Sequence, residues 1–181
     1  MLAQAHVAVS PAPGRRRPTV RPPAAGCLEC RVVKVVIVGC GRVGASLALR
    51  LVGEGHTVSV VDTNVAAFNR LGEDFPGTMV VGNGIDEGVL RRAGIEGADA
   101  FASLTPGDNR NAMAAQVAKV VFSVPRVITR LYDPIRADVY RELGLETYCS
   151  TRIGVGIISD YFDTGVNRGP EVERVGAGVT V

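Results

Sequence analysis

Tryptophan is absent, and aromatic residues make up only 5% of the 181 positions, although 46% are hydrophobic. Such a chain builds its core from alanine, valine and leucine, as alternating α/β proteins do. Histidine occurs twice, at His6 and His56, which leaves little for acid–base chemistry. Four cysteines stand at 27, 30, 40 and 149. Cys27 and Cys30 form a lone C-x-x-C with no second pair or histidine cluster to complete a zinc site. Cys40 and Cys149 read as small buried fillers, and a reduced, cytoplasmic protein is expected. No run of eighteen apolar residues occurs, so no transmembrane helix is expected. The net charge of +2 is uneven: residues 1–31 hold five arginines and one glutamate, while the remainder carries a slight acidic excess. That remainder has no basic footprint for nucleic acid.

What the chain has is a glycine turn in the right setting. Val35-Val36-Ile37-Val38 runs into Gly39-Cys40-Gly41-Arg42-Val43-Gly44, and an amphipathic stretch follows. Strand, G-x-G-x-x-G and helix in that order predict a dinucleotide-type phosphate turn. Gly39 permits the sharp bend, Gly41 lets a pyrophosphate approach the backbone, and Gly44 lets the helix pack near the strand. The positive end of the helix beginning near Arg42 favours a phosphate. Asp62 ends the next apolar run, eighteen residues after Gly44, where a carboxylate can accept both ribose hydroxyls. Neither Thr63 nor Asn64 is basic, which disfavours a 2′-phosphate. Adenosine-diphosphate chemistry follows, and the rest of the ligand stays open between NAD(H) and ATP/ADP.

Residues 1–31, with five prolines and Arg15-Arg16-Arg17, cannot bury enough apolar surface to order themselves and read as a tail. They lack the apolar core of a signal peptide. From residue 32 strands and helices alternate. Strands are expected at 57–61, 78–81, 98–104, 126–131 and 146–149. Helical faces are expected on Val43, Leu47 and Leu51; on Phe68 and Leu71 behind an Asn64 cap; on Val89, Leu90 and Ile95 behind an Asp86 cap; on Met113, Val117 and Val120 or Val121; and on Ile135, Val139 and Leu143 behind Asp133-Pro134. A last helix is expected over 151–162. The pattern predicts a single Rossmann-like domain over 32–162, an α/β doubly wound parallel sheet with right-handed crossovers. The strand ends then bring Gly39, Asp62, Gly82, Thr105 and Arg130 to one crevice. His56 falls at the opposite edge. Residues 163–181 read as a tail or the start of a further, truncated regulatory domain.

The ordered set G-C-G-R-V-G, V-V-D at Asp62, G-N-G-I-D-E-G-V-L-R-R-A-G-I from Gly82, A-D-A-F-A-S-L-T with D-N-R-N after it, and I-T-R-L-Y-D-P-I-R-A-D-V-Y-R-E-L-G from Ile128 resembles the N-terminal nucleotide-binding domain of Trk-type potassium uptake regulators. These are relatives of the domains that regulate conductance of potassium in channels. The resemblance spans about 130 residues. It implies that Gly39, Cys40, Gly41, Arg42, Val43 and Gly44 hold phosphates, that Asp62 holds ribose, and that Gly82 and Asn83 lie by adenine. It further implies that Leu104 and Thr105 line the site and that Arg130 faces phosphates. Asn83 departs from the aspartate of many relatives. The resemblance also implies a membrane potassium-translocating subunit as partner, a homo-oligomer (dimer or ring), and a place at the inner face of the membrane.

Two classes of function compete. A dehydrogenase needs a substrate domain and an acid or base beside the hydride acceptor; only nineteen residues follow the last expected helix, and Tyr132 and Tyr148 are the candidates for that role. A nucleotide-sensing regulatory subunit needs a crevice and a partner surface but no catalyst. The residues favour the second, non-enzymatic class.

Overall fold

The computed structural model describes residues 32–165. Short, mostly apolar runs, valine-rich in β1 and β2, build six strands: β1 Lys34–Val38, β2 Thr57–Asp62, β3 Thr78–Val81, β4 Ala100–Ser103, β5 Arg126–Arg130 and β6 Glu146–Tyr148. All pairs are parallel, in the order β3-β2-β1-β4-β5-β6. The helices are α1 Arg42–Gly53, α2 Glu87–Arg92, α3 Asp108–Gln116, α4 Pro134–Glu142 and α5 Ser150–Thr164. A short 3-10 helix, Val65–Arg70, joins β2 to the chain before β3, and a π turn over Val117–Val121 extends α3. The doubly wound fold expected from the sequence is the one present. The tail over 1–31, Cys27 and Cys30, and all but the first residues of the 163–181 segment lie outside the described residues.

Both faces of the sheet are apolar, as parallel strands require. On one face Val35, Ile37, Val58 and Val60 meet Ala45 and Ala48 of α1, and Phe68 and Leu71 from the 3-10 helix and the residue after it. On the other, Val36, Val38, Val61 and Phe101 meet Val89 and Leu90 of α2 and Ala114 of α3, with Ala118 beyond it. A smaller cluster of Ala112, Leu131, Ala137 and Cys149 ties α3 to α4 and to the start of α5. Cys40 and Cys149 are indeed buried free thiols. His56 sits in the turn before β2, where its Nδ1 accepts from the Val33 N–H, away from the crevice.

Three helical faces differ from expectation. Val43 is exposed on α1, where Gly44, Ala45 and Ala48 make the contact and Leu47 and Leu51 only flank it. On α3, Met113 is exposed, as are Val120 and Val121 beyond it, while Asn111, Ala112, Ala114 and Ala115 face inward. On α4, Ile135, Val139 and Leu143 share one face, but that face is exposed and only Ala137 is buried. The reason is the same each time: small residues let a helix axis come close to the sheet, so alanine, not the largest apolar residue, marks the contact. Finally, α5 continues past 162 to Thr164, and none of its residues is buried.

Candidate functional site

The parallel register sets Val38 beside Val61 and Ser103, so the turns after β1, β2 and β4 emerge together. With the ends of β3 and β5 they enclose a crevice of about 560 Å³. It is lined by Gly39, Cys40, Gly41, Arg42, Val43, Asp62, Gly82, Asn83, Leu104, Thr105 and Arg130. Of the sequence-predicted set, only Gly44 does not line it.

The three motif glycines have separate causes. Gly39 has φ +104°, and a Cβ there would stand 2.9 Å from the Thr105 N, so the turn is pressed against the end of β4. A Cβ on Gly44 would lie 1.9 Å from the Gly39 carbonyl oxygen, which locks α1 against the turn. Gly41 has an ordinary φ of −76° as the residue preceding α1, and a Cβ there would meet nothing within 4 Å. None of the described residues requires a glycine at 41, so the space beside it is room left over the backbone. No side chain caps α1 and no acidic residue stands in its first turn, which leaves its positive end facing that room.

Asp62 organises the second wall. Its Oδ2 accepts from the Cys40 N–H at 2.7 Å and its Oδ1 from the Asn64 N–H at 2.8 Å, so the carboxylate is pinned between the glycine turn and the start of the 3-10 helix. Each oxygen keeps a lone pair for a further donor. The Cys40 thiol donates to the Ala67 carbonyl; burial first, and the Asp62 charge second, push it above its ordinary pKa. At the end of β3, a Cβ on Gly82 would run into the Val89 side chain at 2.6 Å, so that glycine serves packing against α2. Asn83 accepts from the Ile85 N–H.

The third wall rests on Asn111, a fully buried residue that sequence reasoning passed over. Its Oδ1 receives the Thr105 N–H at 2.9 Å and the Thr105 hydroxyl at 2.6 Å, and its Nδ2 donates to the carbonyls of Thr105 and Arg130. Every hydrogen-bonding position of the amide is in use. Arg130, 9% exposed, donates through Nη2 to the Leu104 and Thr105 carbonyls at 2.7 and 3.0 Å. Its guanidinium carbon lies 4.7 Å from the centre of the Tyr132 ring, a cation–π stack. Its Nε is buried without an acceptor. Asp108 takes the Tyr132 and Asp133 N–H groups, holding the β5–α4 loop to α3.

Arg70, Arg110, Tyr132 and Ser150 also line the crevice. Sequence reasoning did not place Arg70, Arg110 or Ser150 there. Arg110 lay in the Asp-Asn-Arg-Asn run after β4, a signal available in the sequence; Arg70 lay in a helix whose tightness the sequence does not announce. Neither Thr63 nor Asn64 after Asp62 is basic, but Arg70, eight residues beyond Asp62, adds a cation to the same wall. The lining thus carries four arginines against one carboxylate, an environment for a polyanion. The described residues contain no cluster of His, Cys, Asp and Glu able to hold a metal.

The TrkA-N domain family model matches residues 35–151. The Trk system potassium uptake protein TrkA of Streptomyces coelicolor is 51% identical over 118 residues, 65% of this chain and 53% of the relative. A TrkA homolog of Pyrococcus abyssi is 34% identical over 109 residues, 60% of this chain and 48% of the relative. The chain thus spans about half the length of these curated relatives. Among solved structures, the TrkA-N domain of the inner membrane protein ybaL from Escherichia coli superposes with a TM-score of 0.64 at 20% identity, covering 72% of this chain and 96% of that one. A Shewanella denitrificans Kef C-terminal domain in its AMP-bound form gives 0.61 at 19%, covering 72% and 82%. The GsuK channel bound to NAD gives 0.58 at 20%, covering 80% of this chain and 25% of the channel. The last three show the fold alone. With the family model covering more than half of the residues, this chain belongs to the TrkA-N domain family.

Proposed function

We propose that this chain is the nucleotide-binding part of a regulatory subunit of a potassium uptake system. In this reading the crevice takes an adenine nucleotide, NAD(H) or ATP/ADP, and the bound state is passed to a separate membrane potassium-translocating subunit. The observation that carries it is the room over Gly41, set between an uncapped helix start and four arginines. Phosphates would lie against Gly39–Val43, ribose against Asp62, and adenine towards Gly82 and Asn83. The names of the TrkA relatives and the nucleotides in the Kef and GsuK structures support the assignment. No helix among the described residues is long and apolar enough to cross a membrane; in this reading transport is reached through a partner at the cytoplasmic face of the membrane. The exposed apolar faces of α4 and α5 support self-association into a dimer or ring.

The test is thermal unfolding with NAD+, NADH, ATP, ADP and AMP in turn. A ligand at a hundredfold excess over its Kd adds about 2.7 kcal/mol, which for a domain of this size raises the midpoint by about 5–10 °C. No shift with any of the five would refute nucleotide sensing. Incubation with NAD(P)H and a panel of small carbonyl compounds is expected to give no turnover. Steady cofactor oxidation lost in Tyr132→Phe would replace the regulator with an oxidoreductase.

A further inference from the structure

The glycine turn after β1 lies at the middle of the crevice. The strand order puts β2 and β3 on one side of it and β4 and β5 on the other, and the lining runs from Gly82 and Asn83 after β3 to Tyr132 after β5. Four strand spacings make that span about 19 Å. Phosphates over Gly41, ribose at Asp62 and adenine at Gly82 and Asn83 fill the middle and one half. The other half, walled by Leu104, Thr105, Pro106 and Tyr132, is as wide as the half that takes adenosine.

Among the described residues, Tyr132 is the one aromatic side chain that lines the crevice. Its ring centre lies 4.7 Å from the Arg130 guanidinium carbon. Arg130 is 9% exposed and Tyr132 41%, so the ring is the outer member of the stack, one face on the guanidinium and the other open. The ring is also held in place. The Tyr132 N–H donates to Asp108 at 2.9 Å and the Tyr132 carbonyl accepts from the Cys149 thiol. Beneath it, Arg130 is fixed by the Leu104 and Thr105 carbonyls. An open aromatic face on a rigid support offers a flat heterocycle apolar area with little left to order.

We infer that the open face of Tyr132 stacks the second base of a dinucleotide and so selects a dinucleotide of the NAD(H) class over ADP or ATP. This deepens the proposed function and rests on it. A dinucleotide is two nucleosides joined at a pyrophosphate, and the crevice has the same plan: a phosphate seat at the centre, a polar half for adenosine and a half that ends on an aromatic ring. A nucleoside di- or triphosphate brings no ring to β5 and leaves the Tyr132 face bare. Tyr132 therefore acts on selectivity alone, because phosphate and adenosine are held by the other walls.

The experiment measures the affinities of the full chain for NAD+, NADH, ADP-ribose and ADP. ADP-ribose is the dinucleotide without its nicotinamide, so the ratio of dinucleotide to ADP-ribose affinity isolates the second ring. Wild type is expected to bind the tighter of NAD+ and NADH about tenfold better than ADP-ribose, the effect of one stacked base. Tyr132→Leu keeps bulk over Arg130 without an aromatic face. It is expected to bring the ratio near one with ADP-ribose affinity and the ligand-free midpoint unchanged, whereas Tyr132→Phe is expected to keep the ratio. The chain has no tryptophan, so Tyr132→Trp supplies a single reporter. Saturating NAD+ is expected to quench its emission by contact with the nicotinamide, and saturating ADP-ribose is expected to leave it. A wild-type ratio near one, a ratio untouched by Tyr132→Leu, or a reporter that bound NAD+ does not quench overturns the platform and leaves the nucleotide site standing. Binding of ADP without either dinucleotide does the same, as does equal loss of dinucleotide and ADP-ribose in Tyr132→Leu. No binding of any of the four to the wild type overturns both.

Discussion

Gly41 and Gly44, three residues apart, fail in opposite ways when a side chain is added. At Gly44 a methyl group collides with the Gly39 carbonyl, a backbone group with little room to give, and overpacking of this kind costs about 1–3 kcal/mol or more. At Gly41 a side chain enters open space and obstructs only a ligand. Gly41→Val is therefore expected to keep the ligand-free unfolding midpoint, within about 0.5 kcal/mol, and to lose the shift by adenine nucleotides. Gly44→Ala is expected to lower the midpoint by itself. Asp62→Ala mixes the two effects, because it also strips the acceptor from the Cys40 and Asn64 N–H groups. A Gly41→Val protein that binds nucleotide as the wild type does would move the phosphates elsewhere.

Between elements, the link that matters is α4 to α5. Arg152 of α5 donates to both oxygens of Asp138 on α4, at 2.9 and 2.7 Å, and Arg141 shares that carboxylate. The hydrogen bond from Arg152, with the charges of both arginines, holds the Asp138 carboxyl below its ordinary value of 3.8. The contribution of this pair is complete above that value and is lost as the pH falls through the lowered one. Protection of the α5 amides, taken relative to the intrinsic exchange rate at each pH, is expected to fall modestly in that acid range, and Asp138→Asn is expected to lower it to the same extent already at neutral pH. Exchange in α5 that ignores both would show that the pair does not hold the helix. β1 and β2 were legible in the sequence because valine-rich runs that meet a glycine turn leave few alternatives, and the caps at Asn64, Asp86 and Asp133 were legible because an Asx side chain at a helix start has one job. The helix faces were misread because Ala112, Ala114, Ala115 and Ala137 carry the contacts, and alanine gives periodicity no signal. The crevice was legible through its glycines and Asp62, whereas Asn111 and Arg70 depend on which way a helix turns, which chain order does not reveal.

Among the described residues the Ile135, Val139 and Leu143 face of α4 stands exposed, and two further apolar surfaces are unmatched. One is α5, with Val155 and Phe162 exposed at 62% and 78%. The other is a groove of about 380 Å³ over β4 and β5, lined by Leu47, Ala100, Ala102 and Ile128. Together they exceed what scattered surface residues need, and a symmetric dimer that hides α5 is the expected state. Sedimentation is expected to show it at micromolar concentration, and Ile158→Asp with Phe162→Asp is expected to give monomers that still bind nucleotide; a wild-type monomer with and without nucleotide would leave α5 without this role. The strand order has a meaning in time as well as in space. β1 is made first and lies at the centre, and every strand outward from it on either side is made later than its inner neighbour. The order allows the sheet to grow outward as the ribosome delivers it, each new strand finding an inner neighbour already made. One side of β1, however, stays bare until residues 100–103 have been made. Throughout that interval of synthesis an apolar strand edge has no partner of its own chain and is open to a neighbouring nascent one.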